Sequence, residues 1–196
     1  MLAYQFFTGV TPRATGVDFL VAGAANANDL NDAYYVKFNI ENRYINFASN
    51  LGKIGEGAAR FQADYGSLDI YGAVRTAYAK IFGTDPDAAK VSSIVDTLLV
   101  LNGVTMTRGQ YFASYGLDGL NGQGTKAAAV GWLLAEAVKA DIGSYARAED
   151  HFLVDLVDGN AQFNVDLTGV YASVVQNGST IAGLGPTTTG FDLFSL

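Results

Sequence analysis

Seven residues able to trade hydrogen bonds with a polar ligand, Asn28, Asn31, Tyr35, Asn39, Asn42, Asn46 and Asn50, fall on one side of the segment Asn28–Leu51 plotted as a helix. Leu30, Tyr34, Phe38, Ile45 and Ala48 fall on another side, so one stripe packs and the other faces outward. Asparagine is a mediocre helix former because its amide competes for backbone hydrogen bonds, and its repetition along a helix asks for a reason. An amide donates and accepts at once, as a sugar hydroxyl does, and a polysaccharide also offers apolar ring faces to aromatic side chains. The candidate polysaccharide-binding residues are Tyr35, Asn39, Asn42, Arg43 and Asn46, with Tyr44 and Asn50 as extensions. The competing role is structural: Asn42, Arg43 and Asn46 would cap neighbouring helices or tie loops down, with Arg43 held by Glu41, Asp32 or a carboxylate of another helix.

Other chemistries find less to work with. His151 is the one histidine and there is no cysteine, which removes a two-histidine zinc site, an HExxH motif, thiolate ligands and disulfides. Glu149 and Asp150 flank His151, but adjacent helical residues point in different directions, and no GxSxG elbow supplies a nucleophile. The loop Gly119–Lys126, GLNGQGTK, is glycine-rich and ends in lysine without the spacing of a phosphate-binding loop. With no catalytic motif present, an enzyme is the least favoured reading. Calcium is the one cofactor weighed: Asp118 and Asn121 are candidate oxygen ligands in a flexible loop, against a turn-and-cap reading favoured by the lack of a closing bidentate glutamate. A net charge of −7 and a pI near 4.5 oppose nucleic acid and anionic membrane surfaces. No apolar run approaches the roughly 20 residues that span a bilayer, so membrane insertion is not expected.

The elements that must position these residues read as helices. With 196 residues and 49% hydrophobic content the chain is long enough to bury a core. The expected class is mainly all-α, with helices near Leu2–Phe7, Pro12–Ala22, Asn28–Leu51, Gly55–Tyr65, Ile70–Phe82, Asp87–Leu101, Thr107–Ser114, Gly122–Ala140, Ser144–Val157 and Phe163–Val174. The 23 glycines cluster between these helices as caps and turns; Gly131, before Trp132, is the interior exception and is expected to permit close helix packing. Ala3, Tyr4, Gly9, Pro12, Leu20 and Val21 recur as Ala77, Tyr78, Gly83, Pro86, Ile94 and Val95, which marks two related helix-turn-helix units. In the second, Thr84 or Asp85 is placed to cap the helix that follows. A second pair, FQADYG at Phe61–Gly66 and YFASYG at Tyr111–Gly116, closes each unit with Tyr-Gly. Phe6, Phe7, Phe19, Phe47, Phe61, Tyr78, Phe82, Trp132 and Phe152 sit at helical spacing among small aliphatics and read as core. Residues 176–196 form a Gly/Thr-rich tail, irregular or with short strands, after a helical domain over 1–175.

Three segments, Ala3–Val21, Asn28–Leu51 and AYAKIFG at Ala77–Gly83, resemble the RsaA N-terminal domain family, the anchoring domain of the caulobacter S-layer protein, and the likeness continues more weakly through Lys126–Gly159. The resemblance implies a helical module that anchors its parent protein to the cell by binding the O-antigen of lipopolysaccharide. The final residues FDLFSL are similar to the end of type I secretion substrates, implying a secreted, outer-surface protein exported by that route. The chain reads as the C-terminal piece of a longer protein, and an S-layer-associated metalloprotease with a C-terminal anchor would suit both resemblances. The alternative is a protein–protein module that joins an S-layer lattice by contacting the S-layer protein, which an exposed apolar patch would favour.

Overall fold

A computed structural model of the chain describes residues 2–10 and 40–140. The element order is α1 (Leu2–Thr8), α2 (Ile40–Lys53), α3 (Ala58–Tyr65), α4 (Ile70–Phe82), α5 (Ala88–Val95), β1 (Leu98–Leu101), β2 (Val104–Thr107), α6 (Arg108–Gly116) and α7 (Gln123–Lys139). The fold is a mainly helical bundle with one small antiparallel hairpin.

Helix α7 is the axis of the bundle and touches α1, α2, α3, α4 and α6. It is buried from Gly124 to Ala137, as a helix apolar on every side must be. Small residues let its neighbours close in: a Cβ on Gly131 would stand 2.5 Å from the Tyr44 carbonyl oxygen and 2.6 Å from the Ala48 Cβ. The expected close packing at Gly131 is therefore against α2. Phe6, Phe7, Phe61 and Trp132 join the core, with Phe47, Tyr78 and Phe82 packed against it; Phe19 and Phe152 lie outside the described residues.

The repeat shows itself in the backbone. Gly9 and Gly83 end α1 and α4 with φ of +74° and +73°, and their amides return to the Gln5 and Ala79 carbonyls at 2.8 and 2.9 Å. Both are left-handed caps for which glycine carries no steric cost. Start signals are equally local: Asp69 Oδ1 accepts from Gly72 N, Asp87 Oδ1 from Lys90 N, and Thr107 and Gln110 form a capping box. The cap of α5 is thus Asp87 and not Thr84 or Asp85; the Asp85 carboxylate instead takes a fork from Arg75, Nε at 2.8 Å and Nη2 at 2.5 Å.

One expected helix is two things. Instead of continuing from Asp87 to Leu101, the chain ends α5 at Val95 and turns back as the β1–β2 hairpin, with Leu101 opposite Val104 and Leu98 opposite Thr107. The turn is Asn102-Gly103, both with positive φ (51° and 79°), the dipeptide that two-residue hairpins favour. Local turn chemistry overrides the helical spacing of the aliphatics. The expected helices Pro12–Ala22, Ser144–Val157 and Phe163–Val174, the first part of Asn28–Leu51, and the tail lie outside the described residues.

Candidate functional site

Within α2 the two stripes separate as the spacing requires: Ile45 and Ala48 are buried, Asn42 is half-buried, and Asn46 and Asn50 are exposed. Ser49 and Gly52 also turn inward, Ser49 Oγ donating to the Gly124 carbonyl at 3.3 Å. The polar stripe is not isolated, because α6 packs beside it.

The contact between these helices is a chain of neutral hydrogen-bonding groups. Tyr111 Oη donates to Asn42 Oδ1 at 2.7 Å and lies 3.1 Å from Tyr115 Oη, and the two tyrosine rings meet edge to face at 5.3 Å. Burial, with the Tyr115 hydrogen bond adding, pushes the Tyr111 phenol well above its ordinary value, so it remains a protonated donor at any physiological pH. Asn46 follows Asn42 by one helical turn and is exposed. Amide, phenol and ring edge therefore share one face, half open to water, that can pair with hydroxyls and cover an apolar ring surface.

Charges gather at the end of this face where α2 starts. Lys139 Nζ reaches Glu41 Oε2 at 3.4 Å and also pairs with Glu136. Arg108 stacks on Trp132 with its guanidinium carbon 4.4 Å from the ring centre and donates to the Ile94 carbonyl at 3.1 Å. Burial lowers the Arg108 pKa, and Glu41 and Glu136 oppose that shift.

Of the five residues singled out in the sequence, Asn42, Arg43 and Asn46 are described, all within the first two turns of α2; Tyr35 and Asn39 lie outside the described residues. Asn42 has a structural partner in Tyr111, while Arg43 is half-buried on the same turn. Tyr111 and Tyr115 were not among the expected binding residues. Their signal was present: two tyrosines four apart in RGQYFASYG, one helical turn from each other, in a segment noted only for its Tyr-Gly ending.

Asp118 and Asn121 are brought near helix starts. Asp118 Oδ2 accepts from Gly124 N at 2.7 Å and its Oδ1 from Thr125 Oγ1 at 2.9 Å, which caps α7. Asn121 Oδ1 accepts from Ile70 N at 2.9 Å, adding to the start of α4. These oxygens serve backbone donors, the capping role weighed against a calcium role for this loop. Among the described residues no three His, Asp or Glu side chains gather as a metal-binding group. No described helix is long and apolar enough to cross a membrane. His151 lies outside the described residues.

A comparison with curated proteins finds no match. The family model for the RsaA N-terminal domain matches residues 1–179, a span that takes in every described element. With that match spanning the helical bundle and the amide-bearing α2 alike, the chain belongs to the RsaA N-terminal domain family, a non-catalytic family of S-layer-related anchoring that operates at the cell surface.

Proposed function

We infer that this domain holds a type I-secreted parent protein on the outer cell surface by binding the O-antigen polysaccharide of lipopolysaccharide through the α2–α6 face. The observation that carries the reading is the Tyr111–Asn42 bond with Tyr115 beside it and Asn46 exposed one turn away. The groups are neutral, ring-bearing and able both to donate and to accept, which suits a polyhydroxylated ligand better than an ionic one. They stand on two helices packed against a buried third, so little ordering cost falls on binding. Under this reading catalysis, where the parent protein has any, belongs to another part of it.

The test is binding of the chain to purified smooth lipopolysaccharide and to the same material without O-antigen, with and without calcium. Binding to the smooth form alone, weakened at least tenfold by Asn46→Ala with an unchanged circular dichroism spectrum, is the expected outcome. Equal binding to both materials, or to neither, overturns it. A calcium requirement would assign the ion a part in the contact. A second reading, docking to the S-layer protein itself, draws on a separate observation: the hairpin exposes Leu98, Val100 and Val104. Binding to S-layer protein without polysaccharide would favour it.

A further inference from the structure

The dipeptide Asn-Gly occurs twice among the described residues, at Asn102-Gly103 and Asn121-Gly122, in opposite surroundings. In this pair an asparagine side chain is especially open to attack by its own backbone, because glycine carries no Cβ to shield its nitrogen. At Asn121-Gly122 both reacting groups are engaged. Asn121 Oδ1 accepts from Ile70 N at 2.9 Å, Gly122 N donates to the Gly119 carbonyl at 3.0 Å, and a Cβ on Gly122 would stand 2.1 Å from Asp118 Oδ1. At Asn102-Gly103 neither group is engaged. The pairing of Leu101 with Val104 leaves both turn residues outside the ladder and exposed. Among the described residues the Asn102 side chain and the Gly103 amide make no hydrogen bond, and a Cβ on Gly103 would meet nothing within 4 Å.

The hairpin that holds the first turn is a weak restraint. It has two strands of four residues, with Leu98 67% and Val100 70% exposed. Among the described residues no third strand joins it, and an isolated two-stranded sheet is marginal in water. Local opening of such an element costs little and frees Asn102 to turn its Cγ towards Gly103 N. The second dipeptide has no such freedom, since it lies between the capped starts of α4 and α7.

We propose that Asn102 is a site of spontaneous deamidation, at which the hairpin tip converts to aspartate and isoaspartate while Asn121 stays intact. The Gly103 nitrogen attacks Asn102 Cγ. The N–Cγ bond forms, the Cγ–Nδ2 bond breaks, and the Gly103 amide proton leaves with the side-chain nitrogen as ammonia. The resulting five-membered succinimide takes up one water at either carbonyl. Opening at the N–Cγ bond restores the original backbone with an aspartate; opening at the other bond carries the chain through Cβ and Cγ as isoaspartate. Nothing is oxidised or reduced. Either product sets a carboxylate between Leu101 and Val104, in a stretch from Leu98 to Thr107 that has no charge. Isoaspartate also lengthens a turn whose two residues set the register of β1 on β2, so the modification unfastens the hairpin.

Trypsin separates the two sites: Val91–Arg108 holds Asn102 and Gly109–Lys126 holds Asn121, with no other asparagine in either peptide. The full chain is incubated at mildly alkaline pH, folded or in urea, then digested, and mass spectrometry follows the fraction of each peptide in which O has replaced NH. In the folded chain Asn102 should convert at least tenfold faster than Asn121; in urea, where the dipeptide alone governs, the two rates should be similar. Gly103→Ala, which shields the attacking nitrogen, should slow Asn102 at least tenfold in both conditions. Equal rates in the folded chain overturn the proposal, as does an Asn102 that reacts in urea but not in the folded chain, which would make the turn a protecting geometry. In the converted chain the β1 and β2 amides should exchange hydrogen faster than before while those of α2 and α7 do not; unchanged β1 and β2 exchange overturns the consequence for the hairpin. None of these outcomes bears on polysaccharide binding by the α2–α6 face.

Discussion

Helices α3 and α6 finish on the same dipeptide, Tyr65-Gly66 and Tyr115-Gly116, and each leaves its last carbonyls to a lysine from another helix. At the first end Lys126 of α7 donates to the carbonyls of Tyr65, Gly66 and Leu68 at 2.8, 3.1 and 3.0 Å and is 2% exposed. At the second, Lys53 of α2 donates to the Gly116 carbonyl at 2.6 Å, with its side chain 36% exposed and the Asp118 carboxylate 4.0 Å away. One ammonium is surrounded by backbone dipoles with its three donors used; the other shares its charge with water and a counter-ion. A helix end must satisfy its carbonyls, and burial decides how much depends on the group that does so. The second end belongs to α6, the helix that carries Tyr111 and Tyr115, so the candidate binding helix is fastened by the more weakly held of the two locks.

The largest effect expected is at the buried end. Lys126→Met keeps an apolar stem of similar length but orphans three acceptors, and stability to urea should fall by about 3 kcal/mol, discounting the relief of a buried charge. A loss no larger than that of Lys53→Met would break the comparison. Next is Asp118→Ala, which removes the cap of α7 together with the counter-ion of Lys53; calorimetry should show a loss of about 1.5 kcal/mol, with α7 destabilised and α6 loosened together. Lys53→Met should cost about 1 kcal/mol or less, and its cost should shrink in high salt, whereas that of Lys126→Met should not.

The smallest effect is a pH dependence of the α2–α6 contact. Burial raises the Tyr111 pKa above 10.0, so the unfolded chain gives up that proton at lower pH than the folded one. The stabilisation is complete below about pH 10 and declines as pH rises above it. Thermal unfolding followed across that range should show a shallower decline in Tyr111→Phe. Lys126 has the opposite sign: burial lowers its pKa, so it adds stability as pH climbs from the lowered value towards 10.5. A steepened alkaline loss in Lys126→Met would sharpen the contrast between the two ends.

Much of this was legible residue by residue, because it depends on neighbours along the chain. Helix α4 runs from Ile70 to Phe82 as its spacing predicts, and the cap at Gly83 follows from the Gly-x-x-Pro unit. The outward set of Asn46 and Asn50 against Ile45 and Ala48 follows from helical geometry alone. The hairpin was equally local, through Asn102-Gly103, but four aliphatics in a row suit a helix or a strand, and the turn dipeptide was the deciding clue. The cap of α5 was missed by two residues because the competing carboxylate, Asp85, has its partner in Arg75 on another helix.

The sequence by itself determined the helical class, the glycine stop at Gly83 and the side of α2 that carries amides, since each rests on backbone geometry and on interactions spanning a few residues. Only the tertiary structure decided which groups from distant positions share that side. Tyr111 meets Asn42 across 69 positions of chain, and Lys126 reaches Tyr65 across 61. No periodicity encodes such meetings. They follow from α7 lying at the centre of the bundle, where Gly131 lets α2 close in and Gly124, against Gly116, lets α6 do the same, so that the two neighbours form one face.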